Sequence, residues 1–175
     1  MIKHKGRIFD FVNEKVRLPN GITKRYDFIK HNGAVVIIPF ITKDKVVLIK
    51  QFRVVIGKYI LELPAGSIDK GEKPAACAKR ELIEETGYKA GKIEFIGNII
   101  PCPGYSTEIL HVYKATGLDD VGSLHGGTSQ NIHHKDEDEI IEPMIVSKAH
   151  VRKMFKDGKI NDSKTIAALA MIGWL

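Results

Sequence analysis

Residues 66–88 read GSIDKGEKPAACAKRELIEETGY, and this stretch decides the fold of the chain. A polar turn over residues 69–71 comes first, and residues 74–86 are rich in strong helix formers. Gly87 follows, and glycine readily adopts the left-handed conformation in which helices commonly end. The stretch therefore predicts a loop followed by a helix over Pro74–Thr86.

Three glutamates share one face of this predicted helix. Glu84 and Glu85 follow Glu81 by three and four residues, so the three carboxylates fall within about a third of the helix circumference. Like charges at this spacing repel each other and need compensation. The apolar stripe beside this acidic face consists of Ala75, Ala78 and Leu82.

Two interpretations of the acidic face are open from the residues alone. In the first, it is a solvated helix face whose carboxylates pair with Lys79 and Arg80. In the second, it binds Mg²⁺ or Mn²⁺, which prefer carboxylate oxygens and are often shared with substrate phosphates. A metal site of this kind can activate water and polarise phosphoryl oxygens during hydrolysis of a diphosphate.

The spacing of the whole stretch resembles the Nudix box, G-x5-E-x7-R-E-U-x-E-E-x-G-U, the motif of a superfamily of hydrolases. Seven fully specified residues would match a given start by chance on the order of once in 10⁹ trials. Tyr88 is a departure, since an aliphatic residue is more usual at that position. The matching residues are Gly66, Glu72, Arg80, Glu81, Leu82, Glu84, Glu85 and Gly87.

This resemblance implies a role for each part of the box. Glu81 and Glu85 would be the principal metal ligands, Glu84 would assist them in metal binding and catalysis, and the carbonyl of Ala65 would be a further ligand. Glu72 and Arg80 would form the structural ion pair that ties the loop to the helix. The structural residues of the motif would be Gly66, Glu72, Arg80 and Gly87.

The chain alternates like a sheet before the box and mixes strands with helices after it. Helices are expected over Lys148–Lys156 and Ser163–Trp174, the second capped by Asp162 or Ser163. A long loop is expected over Gly117–Asp136. Strands are expected over Phe9–Arg17, Lys24–Lys30, Ala34–Phe40, Lys45–Gln51, Tyr59–Leu63, Ile93–Ile99, Ile109–Ala115 and Ile140–Val146.

This order of elements predicts an α+β protein. The resemblance implies a Nudix α/β/α sandwich with a mixed sheet and a small N-terminal antiparallel β-sheet. We expect residues 1–38 to form the N-terminal β-sheet region, for dimerisation and substrate contact, and residues 39–175 to form the Nudix catalytic domain. Members of the subgroup described next are usually homodimers, so a homodimer is expected here.

Three shorter segments resemble ADP-ribose pyrophosphatases and related nucleoside-diphosphate-sugar hydrolases. They are Gln51-Phe52-Arg53, Glu62-Leu63-Pro64-Ala65-Gly66 and Pro103-Gly104-Tyr105-Ser106-Thr107-Glu108. The resemblance implies substrate contacts from Arg53, Glu62, Gly104 and Glu108. Cys102 stands where a serine is common. The expected reaction is metal-dependent hydrolysis of ADP-ribose to AMP and ribose 5-phosphate.

Other substrates and functions fit the same motif. A pyrophosphatase could act on a nucleotide sugar, a dinucleotide coenzyme or an oxidised nucleotide, and a Nudix domain could sense a nucleotide without cutting it. Hydrolysis also needs a base near the metals. Similar enzymes place a glutamate before the last strand, where Glu139 is the first candidate and Glu137 the second, although the acidic run 136–139 could also be a hydrated loop.

Charge, hydropathy and cysteine content limit the kinds of partner and compartment that we expect. The formal net charge is +6, but the basic residues are spread along the chain without a dense basic run interleaved with aromatics, so a small-molecule substrate is expected and nucleic acid is not. No apolar run is long enough to cross a bilayer, which argues against a membrane protein. The two cysteines, Cys77 and Cys102, belong to no C-x-x-C pair, and a cytoplasmic protein is expected.

Overall fold

The structure, a computed structural model, describes residues 2–122 and 140–175. A 3₁₀ turn at Val54–Ile56 joins two of the strands, Lys45–Arg53 and Lys58–Glu62. The strands are β1 Ile2–Lys5, β2 Phe9–Arg17, β3 Thr23–His31, β4 Ala34–Thr42, β5 Lys45–Arg53, β6 Lys58–Glu62, β7 Ala65–Ser67, β8 Tyr88–Ile99, β9 Leu110–Asp120 and β10 Ile141–Ser147. The helices are α1 Pro74–Thr86, α2 Lys148–Lys156 and α3 Ser163–Met171.

A seven-stranded mixed sheet lies between two helical layers. The strands run in the order β10-β5-β4-β9-β8, with β6 paired to β5 and β7 paired to β4. β4 and β9 are parallel, whereas β4 is antiparallel to β5 and β7. One face of β4 packs on residues of α2 and α3, such as Val151 and Leu169, and the other packs on α1. The predicted α+β class and α/β/α sandwich are confirmed.

The helix of the box begins and ends at the predicted residues. Proline occupies the first turn of α1, where its missing N–H costs nothing. Gly87 has φ 72° and donates its N–H to the Ile83 carbonyl, which closes the helix. Leu82 and Ala78 are buried as predicted, but Ala75 is exposed and the third buried apolar position is Cys77.

The N-terminal residues form a separate three-stranded antiparallel sheet, in the order β1-β2-β3. It ends at His31, and β4 already belongs to the large sheet. The predicted boundary between residues 38 and 39 therefore falls inside β4, and the division between the two sheets comes earlier, between residues 31 and 34. The reason is that β4 pairs with β9 from Ala34 onward.

Other elements differ from the sequence prediction in length. β9 continues to Asp120, so the first residues of the predicted loop 117–136 belong to a strand, and the rest of that loop from residue 123 lies outside the described residues. α3 stops at Met171 rather than at Trp174. Its N-cap is Asp162, whose carboxylate accepts the Thr165 N–H. Within the described parts of the chain, no helix has the length and apolarity of a membrane span.

Candidate active site

The loop before α1 lies directly against the acidic helix face. β7 pairs with β4, with Ala65 opposite Val36, and the Ala65 N–H donates to Oε2 of Glu85 at 2.9 Å. Gly66 is equally close to Glu81, since a Cβ built on Gly66 would stand 2.0 Å from the Glu81 Cδ. The Glu81 carboxylate can therefore keep this position only because residue 66 has no side chain.

Arg80 joins the loop to the helix. Its Nε and Nη2 donate to the two oxygens of Glu72 at 3.0 and 2.9 Å, and Nη2 also donates to the Ser67 carbonyl at 3.3 Å. Its Nη1 donates to Glu81 and, at 2.9 Å, to Glu84. The pKa of Arg80 is raised mainly by its hydrogen bonds with Glu72. The same contact lowers the pKa of Glu72 to about 2.

Cys77 lies behind this arrangement as a packing residue. Its side chain is fully buried between α1 and the sheet, and its Sγ is 3.5 Å from the Ser67 carbonyl. Burial, followed by the negative charge of Glu81, raises the pKa of the thiol to about 12. The thiol therefore stays protonated at neutral pH, a state with little nucleophilic reactivity.

The box residues fit a divalent cation by their chemistry. Carboxylate and carbonyl oxygens are the donors that such ions prefer, and Glu81, Glu84, Glu85 and the Ala65 backbone lie around the junction of β7 and α1. In residues 2–122 and 140–175, no three acidic, histidine or cysteine side chains converge closely enough to hold an ion as they stand. The reason is that Glu81 and Glu84 turn to Arg80 and Glu85 turns to the Ala65 N–H.

Arg53 and Glu62 form an ion pair beside the box. Both oxygens of Glu62 accept hydrogen bonds from Arg53, with Nε to Oε1 at 3.1 Å. Burial alone would lower the pKa of Arg53, but the hydrogen bonds and charge of Glu62, with the charges of Glu85 and Asp162, raise it. Arg53 therefore lies within electrostatic reach of the acidic face. Glu62 is 1% exposed, so its carboxylate is enclosed by protein groups.

Residues 101–109 form a second loop, which is tied to the N-terminal sheet. The Ile29 N–H donates to the Tyr105 carbonyl at 2.8 Å, and the Thr107 N–H donates to the Ile29 carbonyl at 2.9 Å. Glu108 lies 3.9 Å from Nδ1 of His31. That nitrogen accepts the Gly33 N–H at 3.0 Å, and 3.9 Å is too long for a hydrogen bond with the carboxylate. The Glu108 carboxylate, which is partly exposed, is therefore not hydrogen-bonded to His31 Nδ1.

The remaining predicted site residues are Gly104, Glu137 and Glu139. A Cβ at Gly104 would meet nothing within 4 Å, so the packing of this chain does not require glycine there. Glu137 and Glu139 lie outside the described residues.

Sequence reasoning missed one residue that contacts the predicted site, Lys164, whose Nζ is 3.0 Å from Oε1 of Glu62. Lys164 is the sole charged residue of α3, and a lone charge at the start of an apolar helix was the available signal.

The depressed pKa of Glu72 predicts how stability depends on pH. Its folded-state value is about 2 against an ordinary 4.5, so the pair with Arg80 stabilises fully above pH 4.5 and its contribution disappears as pH falls toward 2. We expect Glu72→Gln to lower the free energy of unfolding at neutral pH by about 1 kcal/mol. In urea titrations from pH 7 to pH 2, the difference from the wild type should shrink below pH 4.5.

The matched control is Glu142→Gln, which removes a carboxylate that is paired with Lys50 on the surface, 60% exposed. This variant should stay close to the wild type at every pH. A destabilisation by Glu72→Gln that stays constant from pH 7 to pH 2 would contradict the assigned ion pair.

Comparison with known proteins agrees with this geometry. A family model described as NUDIX domain matches residues 30–169. The chain is 35% identical over 164 residues to the methanol dehydrogenase activator of Bacillus methanolicus, and the match covers 94% of this chain and 84% of that protein. It is 36% identical over 164 residues, with the same coverage, to the ADP-ribose pyrophosphatase of Bacillus subtilis (strain 168).

Solved structures extend the likeness to the fold. A crystal structure of an ADP compounds hydrolase superposes with a TM-score of 0.77 at 25% identity, over 98% of this chain and 88% of that one. The family model, the relatives and the geometry of the box all agree, and the enzymes of this family depend on divalent metal ions. The chain therefore belongs to the Nudix family of hydrolases.

Proposed function

We propose that this protein hydrolyses ADP-ribose to AMP and ribose 5-phosphate with Mg²⁺ as the metal ion. The observation that carries the proposal is the contact of the Ala65 N–H with Glu85. Ala65 lies three residues after Glu62, which binds the Arg53 guanidinium. Carboxylate oxygens and a guanidinium therefore flank one short segment. A diphosphate needs both, because its charge is shared between metal ions and basic side chains. The relatives named for ADP-ribose and ADP compounds support this substrate class.

Each residue has a task in this proposal. Glu81, Glu85 and the Ala65 carbonyl would hold the metal, with Glu84 as a further ligand and catalytic group. Arg53 would bind a phosphate through charge-assisted hydrogen bonds. Gly104 and Glu108 would contact the substrate from the loop 101–109. When bound, a divalent ion lowers the pKa of a water and withdraws charge from phosphoryl oxygens.

A substrate panel tests the proposed function. Purified protein with Mg²⁺ should release AMP from ADP-ribose faster than it cleaves GDP-mannose, a dinucleotide coenzyme or an oxidised nucleoside triphosphate. A chelator should stop the reaction, and Mn²⁺ in place of Mg²⁺ tests the identity of the metal. Cleavage of GDP-mannose with ADP-ribose inert would overturn the substrate but keep the enzyme family. Binding without cleavage of any diphosphate would favour a nucleotide sensor.

We propose Glu139 as the catalytic base, with Glu137 as the second candidate. Support comes from Ile140, whose carbonyl accepts the Phe52 N–H at 3.1 Å, so the chain enters β10 beside Arg53. Glu139→Gln should lower kcat about 10²-fold, the contribution of a general base, with KM changed little. Steady-state kinetics with ADP-ribose should find Glu137→Gln close to the wild type. The reverse result would assign the base to Glu137, and full activity in both would reject the pair.

We also propose a homodimer formed through the N-terminal sheet. Among the residues of this small sheet whose burial the structure describes, Val12 is the buried apolar one, while Phe9, Phe11 and Tyr26 are 47, 38 and 41% exposed. So much exposed aromatic surface on a sheet with little core of its own favours burial against a second copy. Light scattering at micromolar protein concentration distinguishes a dimer from a monomer.

A further inference from the structure

The first turn of α3 reaches the segment that leads into the box. The Lys164 ammonium lies 3.0 Å from Oε1 of Glu62 and 2.9 Å from Oδ2 of Asp162. The side chains of Lys164 and Asp162 are only 15 and 13% exposed, and that of Glu62 is 2% exposed. Arg53 completes the group, since it donates to both oxygens of Glu62. We call these four residues, Arg53, Glu62, Asp162 and Lys164, the α3 charge network.

Two cations, Arg53 and Lys164, contact the carboxylate of Glu62, and the burial of this carboxylate explains why. A carboxylate taken out of water needs partners that replace its hydration. Lys164 and Arg53 share Oε1 of Glu62, so neither cation carries this task alone. Asp162 balances the ammonium of Lys164 and also caps α3, which fixes the position of the ammonium relative to the helix.

The backbone between Glu62 and the box is fixed in the same way. The Leu63 N–H donates to Oγ1 of the buried Thr165 at 2.8 Å, the neighbour of Lys164 in α3. The Pro64 carbonyl accepts the Ile37 N–H at 2.8 Å, and the Ala65 N–H donates to Glu85. Residues 62–65 are therefore held in turn by α3, by the central strand β4 and by α1.

We propose that Lys164 is a positioning residue for the diphosphate-binding Arg53. Its ammonium balances Glu62, and Glu62 in turn orients the Arg53 guanidinium beside the acidic face. Arg53 already donates to both oxygens of Glu62. If Lys164 lost its charge, Arg53 alone would balance Glu62, so Glu62 would hold the guanidinium more strongly in competition with a bound phosphate. The inference rests on the proposed function, because it assumes that Arg53 binds a phosphate of the substrate.

The test uses charge and length separately. Lys164→Met removes the charge and keeps most of the length, whereas Lys164→Arg keeps the charge. We expect Lys164→Met to raise KM for ADP-ribose about tenfold, as loss of a contact that supports a ligand-binding residue does, with kcat changed less. Lys164→Arg should restore most of the binding. Lys159→Met is the matched control, since Lys159 is exposed and precedes α3, and it should behave as the wild type.

A binding measurement separates positioning from catalysis and from folding. Calorimetry of ADP-ribose binding in the Glu85→Gln background should find about tenfold weaker binding when Lys164→Met is added. The double variant Glu62→Gln/Lys164→Met lacks both charges. Adding Lys164→Met to Glu62→Gln should therefore change KM little. This neutral pair also remains informative if Lys164→Met alone fails to fold.

The outcomes are distinct. A lowered thermal midpoint with unchanged KM and Kd would overturn the proposal and leave Lys164 a purely structural residue. An effect of Lys164→Met that persists in the Glu62→Gln background would also overturn it. If the wild type ignores ADP-ribose, the proposed function fails. The same variants are then measured with the diphosphate that the wild type does cleave, and an unchanged KM there would reject the positioning role separately.

Discussion

Glu85→Gln should lower metal-dependent turnover by about 10³-fold, the upper range for loss of one group that stabilises the transition state electrostatically. The amide keeps an oxygen that can still accept the Ala65 N–H, so the loop stays on the helix while the negative charge is lost. The fold and the loop should therefore survive. Steady-state kinetics with Mg²⁺, together with thermal unfolding, separate the two effects.

Two further variants control this result. Glu142→Gln removes an exposed carboxylate on β10 and should keep full activity. Glu85→Ala removes the acceptor as well and leaves the Ala65 N–H unpaired, so it should be less stable than Glu85→Gln by about 1–3 kcal/mol. Unchanged turnover in Glu85→Gln would reject the assignment of Glu85 as a metal ligand.

Gly66→Ala should remove nearly as much activity, again about 10³-fold, through the placement of Glu81. The new Cβ would stand 2.0 Å from Glu81 Cδ and 2.1 Å from its Oε1, so the carboxylate must move. Gly66 has no positive φ, and the group displaced is the end of a flexible side chain. The variant should therefore fold with a thermal midpoint near that of the wild type and lose activity through metal binding.

Metal titration checks this explanation. Mn²⁺ binding followed by electron paramagnetic resonance should weaken in Gly66→Ala, and Glu81→Gln should weaken it as well. Because both substitutions act on one carboxylate, the double variant should lose little more activity than the worse single variant. Losses that multiply would mean that Gly66 acts through something other than Glu81. Full activity in Gly66→Ala would mean that the placement of the Glu81 carboxylate does not limit the reaction.

The box could be predicted because its signals are local. Proline at the start of α1, glycine at its end and the spacing of the three glutamates all lie within residues 66–88, and the helix has the predicted bounds. The fold class followed from the order of strands and helices. The short strand β7 was missed because three residues carry no readable alternation. It forms because it pairs with residues 34–36 at the start of β4, whereas β5 pairs with the end of β4.

The position of Glu62 could not be predicted for a different reason. The sequence placed it among the substrate contacts, but the structure buries its carboxylate between Arg53 and Lys164. Lys164 is about a hundred residues from Glu62 along the chain, so no local pattern joins them.

β8 begins earlier than predicted because its glycine-containing start is held by β9, with Tyr88 opposite Asp120.

The hydrogen bond between Leu63 and Thr165 also orders events during synthesis of the chain. The two residues are 102 positions apart, so the segment that leads into the box gains this support only after α3 has been made. Contacts of such sequence separation form late, because the loop between them must close first. We therefore expect a nascent chain that ends before α3 to lack one side of the framework around the box, and this side to be completed when α3 docks.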